Sequence, residues 1–221
     1  MNRNALKIIG IVTMLIDHVG LFFLDNFLWF RIIGRISYPI FAFFIAEGMK
    51  YTKNRKKYVL TILIFALITQ IPYMFLIGFY NLNVLFTFLL AMLSICFIES
   101  KVQYWLKTLL LTILFVCIYI PGIFNVVDYG LYGIALILIF YFIKNLSVKY
   151  LSAAGVILVM TLVKVLFFGV EFYNFIQLFS ILSFVLLILY NGKKGRLNLK
   201  YFFYIFYSIQ FYIIWIINLI V

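Results

Sequence analysis

The sequence predicts an all-α fold, a polytopic transmembrane helix bundle of about nine spans with the N-terminus inside and the C-terminus outside. Three observations lead there: the balance of apolar and charged residues, the length of the apolar runs, and the placement of basic residues between them. Hydrophobic residues make up 67% of the 221 and charged residues 11%, against about 45–50% and about 25% in a soluble globular chain. Roughly a quarter to a third of a soluble chain's surface stays in contact with water after folding, and so few polar residues could not cover it. The 27 Phe and 17 Tyr are spread along the whole chain, as suits a protein that turns Phe to lipid and Tyr to the interface.

A span needs about 20 mostly apolar residues. Nine runs fit, at 5–25, 29–49, 58–78, 83–99, 104–121, 127–143, 150–168, 173–190 and 201–220. Every connection is brief, so residues 1–221 read as a single membrane-integral domain. The first run carries Asp17 and His18 and lacks a small-residue cleavage site, which marks a retained helix and not a signal peptide. Pro39 and Pro72 fall inside the second and third runs and predict kinks; Pro121 suits a turn.

Charge placement tests this layout independently. With the N-terminus inside, the inside segments hold fifteen of the eighteen Lys and Arg: Arg3 and Lys7; Lys50, Lys53, Arg55, Lys56 and Lys57; Lys101 and Lys107; Lys144 and Lys149; Lys193, Lys194, Arg196 and Lys200. The outside loops hold Asp25 and Glu171 and no basic residue. That is the positive-inside distribution. It also explains the net charge of +12 without nucleic acid, because the basic clusters sit where anionic headgroups lie.

Ionisable residues within spans are costly and mark sites. Here they are Asp17, His18, Arg31, Arg35, Glu47, Asp128 and Lys164. At about 1.5 Å per helical residue, all but Glu47 share the outer half, which predicts a common polar chamber. His18 is the single histidine and suits general-base work, taking a proton from an amine or hydroxyl. An acidic neighbour such as Asp17 can stabilise its cation; the alternative is a polar pair that packs two helices. Arg31 and Arg35, four apart, share a helix face that Tyr38 continues. They suit a carboxylate or phosphate clamp, unless Asp17 or Asp128 is the protein's own anion between them. The run KYTKNRKKY (Lys50 to Tyr58), with Lys53, Arg55, Lys56 and Lys57, is either positive-inside topology or a landing site for a polyphosphorylated cofactor such as coenzyme A. NGKKGRLNLK poses the same choice, with Asn191 and Gly192 predicting a tight turn.

Other chemistries lack their residues. No Gly-rich phosphate loop of an ATP-driven pump is present, and no GxSxG elbow. Cys96 and Cys117 lie in apolar stretches without CxxC spacing. They read as buried thiols, and with one histidine they make no zinc site.

The run LKIIGIVTMLIDHVG (Leu6 to Gly20) resembles the opening of the TraX family, membrane proteins named for the enzyme that N-acetylates conjugative pilin. The resemblance continues through RIIGRISYPIFAFFIAEGMKYTKNRKKY (Arg31 to Tyr58), ALITQIPY (Ala66 to Tyr73), NVLFTFLL (Asn83 to Leu90), DYGLYG (Asp128 to Gly133) and YNGKKG (Tyr190 to Gly195). It implies a bacterial inner-membrane acyltransferase related to those that use cytosolic acetyl-CoA. The acceptor would be an amine or hydroxyl, such as the N-terminus of a pilin or other secreted peptide. On this resemblance Asp17 and His18 match the first-helix Asp-His motif, with His18 the base. Arg31, Arg35 and Glu47 match the second-helix pattern, and Asp128 a later acidic position. One departure stands out. Where the family often carries Tyr-Pro-x-His in the last helix, this chain has Tyr207, Ser208, Ile209 and Gln210, and Gln210 cannot act as a base. Two other classes fit the residues without the resemblance: a small transporter or proton-coupled channel, whose internal symmetry is not visible here, and a non-catalytic pilus or secretion assembly partner.

Overall fold

The computed structural model describes residues 1–24, 27–108, 112, 127–195 and 201–220. Among these the regular structure is helical, apart from one isolated bridge between Leu82 and Val127. Helices are α1 (Arg3–Phe22), α2 (Leu28–Gly34), α3 (Ser37–Tyr51), α4 (Arg55–Leu76), α5 (Val84–Ile98), α6 (Gly130–Phe142) and α7 (Leu146–Phe168). There follow α8 (Phe172–Phe175), a 3₁₀ segment (Ile176–Ile181), α9 (Leu182–Ile188) and α10 (Phe202–Ile220). Five helical stretches are long and apolar enough to cross a bilayer: Arg3–Phe22, Leu28–Tyr51, Arg55–Leu76, Leu146–Phe168 and Phe202–Ile220. Val84–Ile98, Gly130–Phe142 and Phe172–Ile188 are shorter apolar helices. These eight fall on eight of the nine predicted runs. Most of the remaining run, 104–121, lies outside the described residues, as do Asp25, Cys117, Pro121, Arg196 and Lys200.

The helices are inverted relative to those of a soluble protein. On α4 the exposed stripe is Leu60, Ile64, Leu67, Ile71 and Phe75, whereas the buried stripe, Ile62, Ala66, Thr69 and Tyr73, includes polar groups. On α7, Leu151, Leu158, Leu162 and Leu166 are exposed, and the buried face carries Lys149, Ala153, Ile157 and Thr161. Where water surrounds a helix the apolar stripe turns inward. Here it turns outward, as lipid requires.

Helix ends follow local rules. Asn2, Asn54, Asn83 and Asn145 cap α1, α4, α5 and α7, each accepting a backbone N–H with its side-chain oxygen. The kink predicted at Pro39 falls at Arg35 and Ile36, between α2 and α3. A proline ring clashes with the carbonyl four residues earlier, and for Pro39 that carbonyl belongs to Arg35. Pro39 therefore sits in the first turn of α3, where its missing N–H is harmless. Pro72 stays inside α4. The carbonyl it leaves without a helical donor, that of Ile68, accepts the Tyr212 hydroxyl at 3.1 Å.

The chain forms two compact units, 1–44 with 142–203, and 45–141 with 204–221. In the first, the start of α1 is strapped to the turn after α9: the Met1 amine donates to the Leu189 carbonyl at 2.7 Å, Asn191 N–H to Met1 O at 2.9 Å, and Arg3 N–H to Lys193 O at 2.8 Å. Asn191 and Gly192 form the tight turn expected of them: Asn191 Oδ1 accepts Lys193 N–H at 3.1 Å and Gly192 takes φ +74°. Two segments predicted to lie inside thus share one end of this unit. In the second unit three motif stretches meet. Asn83 Nδ2 donates to Gln70 Oε1 and to the Ala66 carbonyl, both at 2.9 Å. Asp128 N–H donates to Leu82 O at 3.0 Å, and the Thr87 hydroxyl to Asp128 O. Gln70, Asn83 and Thr87 are structural knots that fix the turns around Leu82 and Asp128. Ser208, standing where the family often has proline, pairs its hydroxyl with that of Thr69 at 2.7 Å, tying α10 to α4.

Candidate functional site

The first unit holds a buried ionic centre. Asp17 lies just over a turn before the end of α1, on the face shared by Leu6, Gly10, Met14 and Gly20. That face can approach α2 closely because two glycines clear the way. A Cβ on Gly34 would lie 2.2 Å from Asp17 Cβ and Oδ1, and one on Gly20 would lie 2.5 Å from Phe30 Cβ. Into this contact α2 sends Arg31, and Arg35 follows at its C-cap.

Asp17 is the anion between the two arginines. Arg35 Nη2 donates to Oδ1 at 2.7 Å and Oδ2 at 2.9 Å, and Arg31 Nη1 lies 2.9 Å from Oδ2. Arg31 Nη1 also reaches the Asp17 backbone carbonyl at 3.0 Å, and Arg35 Nε donates to the Arg31 carbonyl at 3.3 Å. The Arg31 carbonyl thus accepts both the backbone N–H of Arg35, at 3.2 Å, and its side chain. Side-chain exposure is 9% for Asp17, 13% for Arg31 and 14% for Arg35, so the trio carries one net positive charge largely out of solvent. His18, the next residue on α1, is half-buried, with its ring 6.5 Å from that of Phe22. Tyr38, in the first turn of α3, is 2% exposed. Lys164, expected to line the same chamber, lies on the exposed side of α7. A long side chain there can run along apolar surface and carry its ammonium toward the interface.

The second unit carries a different ionic cluster at the start of α4. Arg55 Nη1 pairs with Glu99 Oε2, Arg55 Nη2 donates to the Tyr141 hydroxyl at 2.8 Å, and that hydroxyl donates to Glu99 Oε1 at 2.6 Å. Lys50 Nζ donates to the Phe140 carbonyl at 2.8 Å. The end of α3, the start of α4 and the ends of α5 and α6 meet there. Glu99 follows the last turn of α5. The hydrogen bond from Tyr141, and then Arg55, hold its carboxyl below the ordinary range. Of the four basic residues assigned to a cofactor, Arg55 is half-buried in this cluster, and Lys53, Lys56 and Lys57 are exposed. Glu47, on α3, and Asp128, before α6, are half-buried in this unit. Among the described residues no group of three or more His, Cys, Asp or Glu is placed to hold a metal.

The sequence leaves the two arginines open to a ligand clamp or an internal anion, and Asp17 stands between them. Glu99 and Tyr141 are not singled out by sequence. The available signal was that Glu99 is one of six acidic residues in a strongly basic chain, at the edge of an apolar run where a basic loop faces it.

Apolar helices that turn their apolar stripes outward, together with a buried Asp–Arg–Arg centre in the first unit, define a polytopic helical membrane protein. The chain belongs to the TraX family, whose description as TraX protein matches residues 2–218. It is similar to the "Probable fimbrial assembly protein FimC, serogroup H1" of Dichelobacter nodosus, 31% identical over an alignment of 253 positions that covers 95% of each chain. A protein of Rickettsia prowazekii (strain Madrid E) is 36% identical over 69 residues, 31% of this chain and 26% of that one. No solved structure matches the chain.

Proposed function

We propose that the protein is an acyltransferase of the bacterial inner membrane. It moves an acetyl group from cytosolic acetyl-CoA to an amine or hydroxyl acceptor, with the N-terminus of a pilin or other secreted peptide as the leading candidate. The observation that carries this reading is a half-buried histidine, the only one in the chain, one residue from a carboxylate that two arginines hold inside an apolar bundle. His18 takes the proton of the acceptor. The acceptor nitrogen or oxygen bonds the acetyl carbonyl carbon, the carbon–sulfur bond breaks, and the proton passes from His18 to the departing thiolate. The net positive charge of Asp17, Arg31 and Arg35 favours the negative oxygen that develops on the carbonyl. The exposed Lys53, Lys56 and Lys57 offer charge to the phosphates of coenzyme A. Glu47 and Asp128, half-buried in the second unit, serve by ordering the helices that carry them.

A second reading has its own support. Both oxygens of Asp17 are engaged by arginines, as in a lock between α1 and α2, and the relative from Dichelobacter nodosus is named for fimbrial assembly. On that reading the chain is a non-catalytic assembly partner. Purified protein in detergent, given acetyl-CoA, separates the two. Acetyl transfer predicts binding by wild type and His18→Ala alike, with thioester cleavage by wild type alone. Absence of binding by folded wild type supports the assembly reading, and equal cleavage by both removes His18 from the mechanism.

A further inference from the structure

The segment Phe172–Ile188 is helical but not uniformly so, since α8 gives way to six residues of 3₁₀ helix before α9 resumes. Its polar residues recur every third position: Asn174, Gln177, Ser180 and Ser183. Of these, Gln177 and Ser180 lie in the 3₁₀ segment, where residues three apart eclipse one another and share a face. Ser180 Oγ turns back to the Gln177 carbonyl at 2.7 Å and Ser183 Oγ to the Ser180 carbonyl at 2.6 Å, which leaves the Gln177 side chain as the group the row directs elsewhere.

Among the side-chain atoms of the first unit shut away from solvent without a hydrogen-bond partner among the described residues are Gln177 Nε2, Thr161 Oγ1 and Arg31 Nε. Gln177 is 9% exposed and Thr161 3%. They lie on elements that pack on one another, α2 against the 3₁₀ segment and the 3₁₀ segment against α7. In lipid, where no solvent can take over, unmade hydrogen bonds of this kind are costly. Two of the three atoms can only donate, and the hydroxyl can do either. Arg31 also belongs to the trio with one net positive charge. The group that would satisfy all three has acceptor oxygens and negative charge.

We propose that the 3₁₀ segment Ile176–Ile181 is a gate, closed in this structure, over an oxyanion-binding site formed by Arg31, Gln177 and Thr161. The ligand group is a carboxylate or phosphate, carried by a small molecule or by an anionic lipid. A 3₁₀ turn has poorer hydrogen-bond geometry than an α turn, so this stretch is the part of the span that moves most readily. A ligand that meets the three unpaired atoms in the opened state shifts the balance toward it by its preference for that state. The proposal does not depend on acetyl transfer, and its test involves no turnover.

The test is thermal unfolding of the full chain in phospholipid-free detergent. Wild type is compared with Gln177→Leu and with Thr161→Val, in sodium chloride, sodium acetate and sodium phosphate at equal ionic strength. Mixed micelles with phosphatidylglycerol or phosphatidylcholine form a further pair. For wild type, acetate, phosphate or phosphatidylglycerol raises the midpoint by several degrees over its control. A rise with the free anions assigns the site to a small oxyanion, and a rise with phosphatidylglycerol alone assigns it to a lipid headgroup. Each variant, relieved of an unpaired atom, unfolds at or above the wild-type midpoint in chloride and loses the ligand-dependent rise. A lower midpoint for both variants in chloride, a rise that survives in Gln177→Leu, or no rise in wild type under any condition would each overturn the proposal.

Discussion

Two carboxylates in this protein are each paired with arginine, and their surroundings make them opposites. Glu99 meets one arginine, Arg55, and Tyr141 closes the ring between them; the pair's charges cancel and about a third of each side chain stays exposed. Asp17 meets two arginines, retains a net positive charge and is nearly closed off. The first cluster joins helix ends where water is available, so its members gain little and lose little. The second is held within an apolar bundle, where each charge depends on its partner because no solvent replaces it. A cluster that fixes structure can be neutral and complete. The Asp17 centre instead gathers three charges and keeps Arg31 Nε without a hydrogen-bond partner among the described residues.

Substitutions at the two carboxylates sharpen this contrast. The largest expected loss of stability comes from Asp17→Asn, which leaves two guanidinium groups without their counter-charge. Removing one member of a buried ion pair costs about 3–5 kcal/mol, to be read from unfolding in detergent. A loss no greater than that for Glu99→Gln would erase the distinction. Next is Gly34→Ala. Its Cβ would fall 2.2 Å from Asp17, and overpacking of this kind costs about 1–3 kcal/mol. The variant should weaken the α1–α2 contact while leaving the second unit's Arg55–Glu99 pair intact. An unchanged midpoint would show that α1 and α2 do not pack as described.

The smallest effect is at Glu99. An exposed pair contributes about 0.2–1 kcal/mol, so Glu99→Gln should lower stability slightly at neutral pH and less still in high salt. The pH dependence follows from its lowered pKa. A carboxyl depressed by folding contributes in full above its ordinary value of about 4.5. That contribution fades as pH falls through the lowered value. Wild type and Glu99→Gln should therefore converge in stability only in acid below that ordinary value; convergence already at neutral pH would contradict the pairing.

The apolar runs that carry the fold are legible because a span must be long and apolar whatever it packs against. The breaks are legible only with the right rule. Pro39 announces a kink, and its steric conflict lies four residues earlier, at Arg35, where α2 gives way to α3. The 3₁₀ stretch, Ile176–Ile181, falls within a run, 173–190, that the sequence reads as one helix. Of the candidate site, Asp17, His18, Arg31 and Arg35 stand out because charge in lipid is rare, and Gly34 permits the contact that unites them. Gln177 and Thr161 do not stand out, since a neutral side chain is ordinary in a span and becomes notable only when left without a partner. Glu99 and Tyr141 are far apart in sequence, and no local pattern links them.

Whether the centre around His18 performs the proposed acetyl transfer is tested by following the acetyl group itself. Wild type and His18→Ala, both folded in detergent, are incubated with isotopically labelled acetyl-CoA and a peptide bearing a pilin-like free N-terminus, and the peptide is analysed by mass spectrometry. Acetyl transfer through His18 gives labelled peptide with wild type and none with His18→Ala. Labelled peptide in equal amount from both, or none from a wild type that binds neither substrate, would contradict it.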